Sequence, residues 1–352
     1  MERRYGIGKR SVGKSVSAGD TLDVATIIVN YRTATATIDA VAALSNDLDK
    51  LTAPLVVVVD NDSRDGSLER LREVFAEAKW LGRVVVVDSR HNGGFGFGVN
   101  FGVRQVLEKH ETPRYFYVLN PDATIDRGAL LGLVAFMSDH PEAGLLGNVV
   151  RNEGADVVKA FRFPSALGEL EGSACLGLLT RLLRNHVVAM DPRDSCEVDW
   201  VSGVSMLFRS EVFSTVGFFD EGFFLYFEEV DLALRVRQAG WKVYFVADVG
   251  VGHVGGLSTG FKDETRSMPR YWFDSRRRYF VKHHGRLYAA ACDAAWICGH
   301  AIFKAKINLT RRQQTVRPSL GRDFLRYSLA NLLKSAPEAE QSHSVREKRA
   351  TG

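Results

Sequence analysis

Four short β-branched runs, separated by stretches of helical periodicity, constrain this 352-residue chain more than any other feature. Val24–Val29 (VATIIV), Leu55–Val59 (LVVVV), Val84–Val87 (VVVV) and Tyr115–Leu119 (YFYVL) are nearly continuous apolar runs. Such runs are expected of strands buried on both faces of a parallel sheet. Thr35–Leu48, Ser67–Lys79 and Gly98–Lys109 lie between them and read as helices. The alternation predicts a doubly wound, mostly parallel α/β sheet with right-handed crossovers. Ligands of these sheets bind beyond the carboxyl ends of the strands, so the residues after each run are where chemistry is expected.

Those residues are polar. After the second run comes Asp60-Asn61-Asp62-Ser63-Arg64-Asp65-Gly66-Ser67. A turn and a helix N-cap account for Ser63, Asp65 and Gly66. Asp60 and Asp62 remain as functional candidates, Asp60 as an acceptor for a base or ribose. After the third run, Arg90-His91-Asn92-Gly93-Gly94-Phe95-Gly96-Phe97-Gly98 suggests a dinucleotide fingerprint, but no G-x-G-x-x-G fits. Counting from Gly94 ends on Val99, and from Gly96 on Phe101. This argues against a nucleotide-dependent oxidoreductase. A glycine-rich turn into a helix still lets backbone approach a phosphate or sugar. In Leu119-Asn120-Pro121-Asp122-Ala123, Asp122 sits where a carboxylate can hold a cation bridging two phosphates, although Asn-Pro-Asp is also an ordinary turn. His253 gains meaning only if it meets Asp122, since a neutral imidazole is a common metal ligand.

Phe223–Trp241 (FFLYFEEVDLALRVRQAGW) places Glu228, Glu229 and Asp231 at the start of an amphipathic helix that Gly240 ends. The helix dipole explains any one of these acids, at roughly 0.3–1 kcal/mol each. Three acids beside five aromatics ask for more. Apolar surroundings and like charges raise a carboxylate's pKa, which suits a general base.

Composition bounds the class. Hydrophobic residues make up 45% and charged residues 25%, as in a soluble globular protein of one large domain with appendages. Cys175, Cys196, Cys292 and Cys298 form no CxxC pair, which suggests a reducing compartment and no thiolate metal site. Residues 1–22 read as a basic disordered tail without a signal peptide, and residues 335–352 as a second disordered tail. Residues 260–352 hold 19 Lys+Arg against 8 Asp+Glu, while the rest of the chain is net acidic, which points to an anionic partner. The stretch 287–303 is too short and polar to span a bilayer. Its basic flanks suggest a helix lying on an anionic membrane surface, the alternative being a helix packed on the domain. Trp200–Phe208 and Lys242–Val246 read as further strands, and 150–195 as an irregular excursion over the active face.

Taken in order, several motifs resemble those of family 2 glycosyltransferases, nearest the rhamnosyltransferase-like and galactofuranosyltransferase-like enzymes. They are NYR at Asn30–Arg32, DNDSRDGS at Asp60–Ser67, NGGFGFGVN at Asn92–Asn100 and LNPDA at Leu119–Ala123. WVSGVSMLFR at Trp200–Arg209 and FDEGFFLYFEEVDLALRVRQAGW at Phe219–Trp241 complete the set. The resemblance covers about residues 24–255 and implies a GT-A fold: a Rossmann-like nucleotide-binding half and an acceptor half over 23–260. A helical, membrane-associating extension would follow over 261–334. It further implies inverting transfer of a sugar from a nucleotide-sugar to a lipid-linked or polysaccharide acceptor in cell-surface glycan synthesis. The donor would be dTDP-rhamnose, or else a UDP-sugar. No nucleic-acid partner is expected, and the enzyme would sit on the cytoplasmic face of the plasma membrane.

By the same resemblance, Asn30, Arg32, Asp60, Asp62, Asn92, Gly93, Gly94, Asn100, Asn120 and Asp122 would line the donor. Trp200, Ser202 and Gly203 would line the acceptor side. Asp122 would hold Mg²⁺ or Mn²⁺ with His253 as a further ligand. Glu229 falls at the position of the catalytic base, with Glu228 and Asp231 beside it. Two departures stand out: Asn120 replaces one acid of the metal motif, and the base pair reads Glu-Glu, so Glu228 and Glu229 could exchange roles. The missing acid leaves a catalytically silent scaffold of the same fold as the alternative.

Overall fold

The computed structural model describes residues 22–152, 157–256, 267–310, 317 and 319–332. The tails expected at 1–22 and 335–352 lie outside the described residues, save Leu22, as does the domain boundary expected at 260/261. The first half runs β1 (Val24–Asn30), α1 (Ala34–Leu48), β2 (Pro54–Asp60), α2 (Ser67–Phe75), β3 (Val84–Asp88), α3 (Phe95–Leu107) and β4 (Tyr115–Leu119). It continues through β5 (Ala123–Ile125), α4 (Ala129–Asp139), β6 (Ala143–Asn152), β7 (Val157–Val158) and β8 (Ala160–Phe161). Then come α5 (Ala166–Ala174), α6 (Gly177–Leu182), β9 (Ala189–Met190), β10 (Cys196–Glu197), β11 (Ser205–Arg209) and α7 (Ser210–Val216). The chain closes with α8 (Glu228–Gln238), β12 (Lys242–His253), α9 (Arg270–Thr310) and α10 (Leu320–Asn331).

The four β-branched runs form the parallel core. β1 pairs in parallel with β2 and β4, and β2 with β3, which gives the order β4-β1-β2-β3. β11 then inserts antiparallel between β4 and β6, and β12 adds in parallel to β6. The result is a mixed, mostly parallel sheet with helices on both faces. Every residue of β1 and β2 is buried, which is why neither strand shows apolar–polar alternation. One face packs α1, α2 and α4 through Leu44, Leu71 and Leu133; the other packs α3, α7 and α8 through Val103, Phe213 and Leu232.

α3 begins three residues before the expected start, at Phe95. Its glycines have a packing role: a Cβ on Gly98 would come within 2.6 Å of Val29, and one on Gly102 within 2.7 Å of Ile27. The helix therefore lies directly against β1. Of the expected strand Trp200–Phe208, only the end is extended, over Ser205–Arg209.

The C-terminal helices depart furthest from the sequence reading. α9 turns back on itself at Gly285, whose φ of 82° is left-handed. Arg276 on its first arm reaches Asp293 on the second at 2.5 Å and Glu169 on α5 at 3.0 Å. The stretch 287–303 packs one side on α5, where a Cβ on Gly299 would strike Ser173. Leu287 and Leu309 stay exposed. Among the described residues, no helix is long and apolar enough to cross a membrane.

Candidate active site

At the carboxyl ends of β1 and β2 the side chains close on one another. Asn30, fully buried, donates to Asp60 Oδ2 at 2.7 Å and Ser63 Oγ at 3.1 Å, and accepts from Thr37 Oγ1 at 2.9 Å. Asp60 also accepts from the backbone N–H and hydroxyl of Ser63, at 3.0 and 2.7 Å. Ser63 accepts from the backbone N–H of Arg32, and the Arg32 guanidinium donates to the Ser63 carbonyl at 3.1 Å. The two loops are thus one hydrogen-bonded unit around the Asp60 carboxylate. Asp62 pairs with the exposed Arg64 at 2.7 Å. Arg32, Asp62, Arg64 and Arg90 all hold left-handed backbone in these strand-end loops, a conformation that side chains resist. A fixed loop shape over-determined by hydrogen bonds is characteristic of ligand loops.

The glycine turn after β3 is held from below by Asn61. Its amide donates to Asn92 Oδ1 at 3.1 Å and to the Gly94 carbonyl at 3.0 Å, and its oxygen accepts from Ser89. Gly94 has φ +93°, and a Cβ there would come within 1.8 Å of the Phe224 carbonyl oxygen, to which Phe95 N–H donates. No other residue fits this crossing. A Cβ on Gly93 would run into the Phe97 ring. Asn100 lies one turn into α3, buried, and holds the chain ahead of α8: it accepts from Phe219 N–H and donates to the Phe219 carbonyl and to Glu221.

The 120–123 turn is pinned by Asn120 N–H to the Val204 carbonyl at 2.9 Å. Asp122 is almost buried and lies 3.3 Å from His253 Nε2, so the condition set by the sequence is met: the two converge. The other ring nitrogen, Nδ1, is 2.9 Å from Asn152 Oδ1. One carboxylate and one imidazole, completed by a diphosphate's oxygens, would be a suitable donor set for Mg²⁺ or Mn²⁺. Among the described residues no third His, Cys, Asp or Glu joins them.

The three acids of α8 point to three places. Tyr226 and Phe227 are both left-handed, which makes a sharp entry into the helix and sets the direction of its first turn. Glu228 is buried against Gly96 of α3, on the glycine-turn side. Glu229 is half-buried and faces Gly203, whose added Cβ would stand 3.8 Å from its Oε1. The Oε2 atom of each finds no hydrogen-bond partner among the described residues. Burial pushes the Glu229 carboxyl up to about 7. Burial and the neighbouring Glu229 charge hold Glu228 well above the ordinary carboxylate range. Asp231 turns the other way, towards α9, and is fully buried. Burial opposes its ionisation, but the hydrogen bond from His283, the Arg235 charge and Lys282 outweigh it and bring the carboxyl down to about 2. Lys282 and His283 stand 2.5 and 2.7 Å from it.

On the remaining side, Trp200 stacks on Phe161 at 4.0 Å and donates through Nε1 to the Arg162 carbonyl at 2.9 Å. Ser202 Oγ accepts from Val204 N–H at 3.4 Å. Hydrogen bonds tie Asn61 to Gly94, Phe95 to the Phe224 carbonyl and Asn120 to Val204, and Glu229 faces Gly203 beside Val204. Sequence reasoning found most of the acids but missed the groups that hold them. Asn61, Asn152, Lys282 and His283 were not singled out, and Ser63 was read as a turn residue alone. All lie far along the chain from their partners except Ser63, whose hydroxyl next to an Asp was the one available signal.

A sheet with helices on both faces, a hydrogen-bonded acid at the carboxyl end of β2 and two adjacent raised carboxyls at the start of α8 are features of a glycosyltransferase of the GT-A class. The comparisons with known proteins agree. The model of glycosyl transferase family 2 matches residues 26–216, more than half of the chain, and the protein belongs to that family. It is 30% identical over 217 residues to the N-acetylglucosaminyl-diphospho-decaprenol L-rhamnosyltransferase of Mycobacterium tuberculosis, covering 58% of this chain and 68% of that one. It is also 30% identical over 157 residues to rhamnosyltransferase WbbL of Escherichia coli, covering 44% and 58%. Among solved structures, a mannosyltransferase from Pyrobaculum calidifontis, in complex with GDP-Man and Mn²⁺, aligns over 91% of this chain and 84% of its own, with TM-score 0.50 and 17% identity. GalNAc-T7 with UDP, GalNAc and Mn²⁺ aligns over 91% and 59%, with TM-score 0.53 and 15% identity. At these identities the structural likeness concerns the fold.

Proposed function

We propose that the protein transfers rhamnose with inversion from dTDP-rhamnose to a lipid-linked saccharide for cell-surface glycan synthesis, with Glu229 as general base. The observation that carries this reading is the Glu229 carboxyl. It is half-buried, raised to about 7, leaves one oxygen unpartnered and faces Gly203 on the acceptor side. The rhamnose assignment is supported by the two rhamnosyltransferase relatives. In the transfer, Glu229 takes the proton of an acceptor hydroxyl. That oxygen bonds to the anomeric carbon as the bond from that carbon to the diphosphate oxygen breaks, and the nucleoside diphosphate leaves from the opposite side. General-base assistance of this kind contributes typically 10²–10⁴-fold.

Asp122 and His253 would hold a divalent cation, which when bound neutralises charge on the departing diphosphate. Asp60, held by Asn30 and Ser63, is set to receive the base or ribose, and Asp62, Asn92 and Gly93–Gly94 the rest of the donor edge. Trp200, Ser202 and Gly203 flank the acceptor. With a lipid-linked acceptor, the enzyme would work at the membrane, on its cytoplasmic face in this reading. The basic C-terminal third and the exposed Leu287, Leu309 and Leu329 support that placement. The testing experiment is a thermal-shift screen with dTDP-rhamnose, UDP-galactose, UDP-glucose and GDP-mannose, each with and without Mn²⁺. Stabilisation by dTDP-rhamnose alone, and only with metal, is the expected result. Stabilisation by a UDP- or GDP-sugar instead overturns the donor assignment.

A further inference from the structure

β12 reaches His253 across an irregularity. Val246 pairs with Asn148 of β6, but Gly250 pairs with Val149, so residues 247–249 bulge out of the ladder. An unbroken ladder would set Gly250 opposite Asn152. With the bulge, His253 lies opposite Asn152 on one side and opposite Ala123, beside Asp122, on the other. Bulges re-aim side chains next to sites. Here the outcome is an imidazole strung between two oxygens, 2.9 Å from Asn152 Oδ1 through Nδ1 and 3.3 Å from Asp122 Oδ1 through Nε2.

An amide oxygen only accepts hydrogen bonds, so the Asn152 contact places the ring proton on Nδ1. Nε2 is then the nitrogen left facing the Asp122 carboxylate, and a cation taken up between them replaces whatever proton it carries. Two electron-pair donors at that separation suit a shared cation. We propose that Asn152 is a positioning residue that fixes the tautomer and ring plane of His253, so that His253 and Asp122 present a preformed nitrogen–oxygen pair to a divalent cation. The inference rests on the reading of Asp122 and His253 as cation ligands. A neutral amide orients the ring without adding a second negative charge to a site that must also admit a diphosphate. Loss of such an outer partner typically weakens metal affinity about 10–100-fold.

The test uses the full chain, with Mn²⁺ binding in the presence of dTDP followed by the electron paramagnetic resonance of free Mn²⁺. Asn152→Ala should weaken binding about 10–100-fold. Asn152→Asp, which keeps the acceptor, should restore it to within a few-fold. Nitrogen-15 NMR of the metal-free wild type should show His253 protonated at Nδ1, and the same signal in Asn152→Ala should move towards a mixture of tautomers. Unchanged Mn²⁺ affinity in Asn152→Ala, with binding lost in Asp122→Asn and His253→Ala, overturns the role of Asn152 and leaves the ligand reading standing. Unchanged affinity in all three variants overturns both. A wild-type His253 without a proton on Nδ1 overturns the inference whether or not the variants fold.

Discussion

Glu228 and Glu229 are sequence neighbours whose surroundings set different tasks. Glu229 borders Gly203, on the side proposed for the acceptor; Glu228 is buried against Gly96. Both carboxyls are raised, so activity should fall as the pH drops below about 7, where Glu229 takes up its proton. A plot of kcat against pH should show that limb, with about a tenfold loss per unit well below it. Stability should move the other way. A carboxyl raised in the folded state from its ordinary 4.5 contributes stability below that value, and the contribution is lost as the pH rises through the folded value. Glu228→Gln should therefore melt higher than wild type at pH 8 and alike at pH 4, as differential scanning calorimetry would show. The acids themselves were legible in the sequence because polar residues at strand ends and helix starts have no core to fill. The direction each one faces was not. Glu228, Glu229 and Asp231 span four residues and look towards α3, Gly203 and α9, and only the left-handed entry at Tyr226–Phe227 decides which is which. Asn152, Asn61 and His283 were hidden for a related reason: each matters through a partner dozens of residues away or more.

The glycines of α3 act as a contact surface. Gly102 lets the helix lie on β1, and Gly102→Val would press a side chain on Ile27 at 2.7 Å and Val59 at 3.0 Å. Overpacking of this kind costs about 1–3 kcal/mol, measurable by urea denaturation, and it should shift the glycine turn that α3 carries. The four β-branched strands were readable because burial on both faces leaves an uninterrupted apolar run. β6 was not, since AGLLGNVVRN carries glycines and asparagines that break the pattern. Gly147 in particular is required there by Val201, which a Cβ would meet at 2.4 Å. α4 was missed as well: its sequence ALLGLVAFMSD is apolar over most of its length and lacks the polar face that marks a helix.

The C-terminal helices are part of the site rather than an appendage to it. α9 supplies Lys282 and His283 to Asp231, Ser275 to the Leu225 carbonyl and Arg278 to Asp220, and so braces both ends of the segment that carries Glu228 and Glu229. The sequence showed basic charge and an apolar stretch in this region, which read as a helix on a membrane surface or packed on the domain; the structure packs it on α5, with Arg276 paired to Glu169 and to Asp293 within the stretch, and Lys282 to Asp220 and Asp231. Asp231 is lowered to about 2, so its contribution is fully present above its ordinary 3.8 and is lost as the pH falls through 2. The shift corresponds to on the order of 2 kcal/mol. Asp231→Asn should cost more, about 3–5 kcal/mol, because Arg235 and His283 lose the buried carboxylate they share, while Lys282 keeps only Asp220. Chemical denaturation at pH 7 would measure the loss, and kcat should fall with it as α8 loosens.

The decisive measurement is turnover and donor affinity in Glu229→Gln, made together on one preparation. The account predicts that kcat falls by about 10²–10⁴-fold while dTDP-rhamnose binds as it does to wild type, and that the wild-type product carries the inverted anomeric configuration. Undiminished turnover in the variant, or a product that retains configuration, would contradict it.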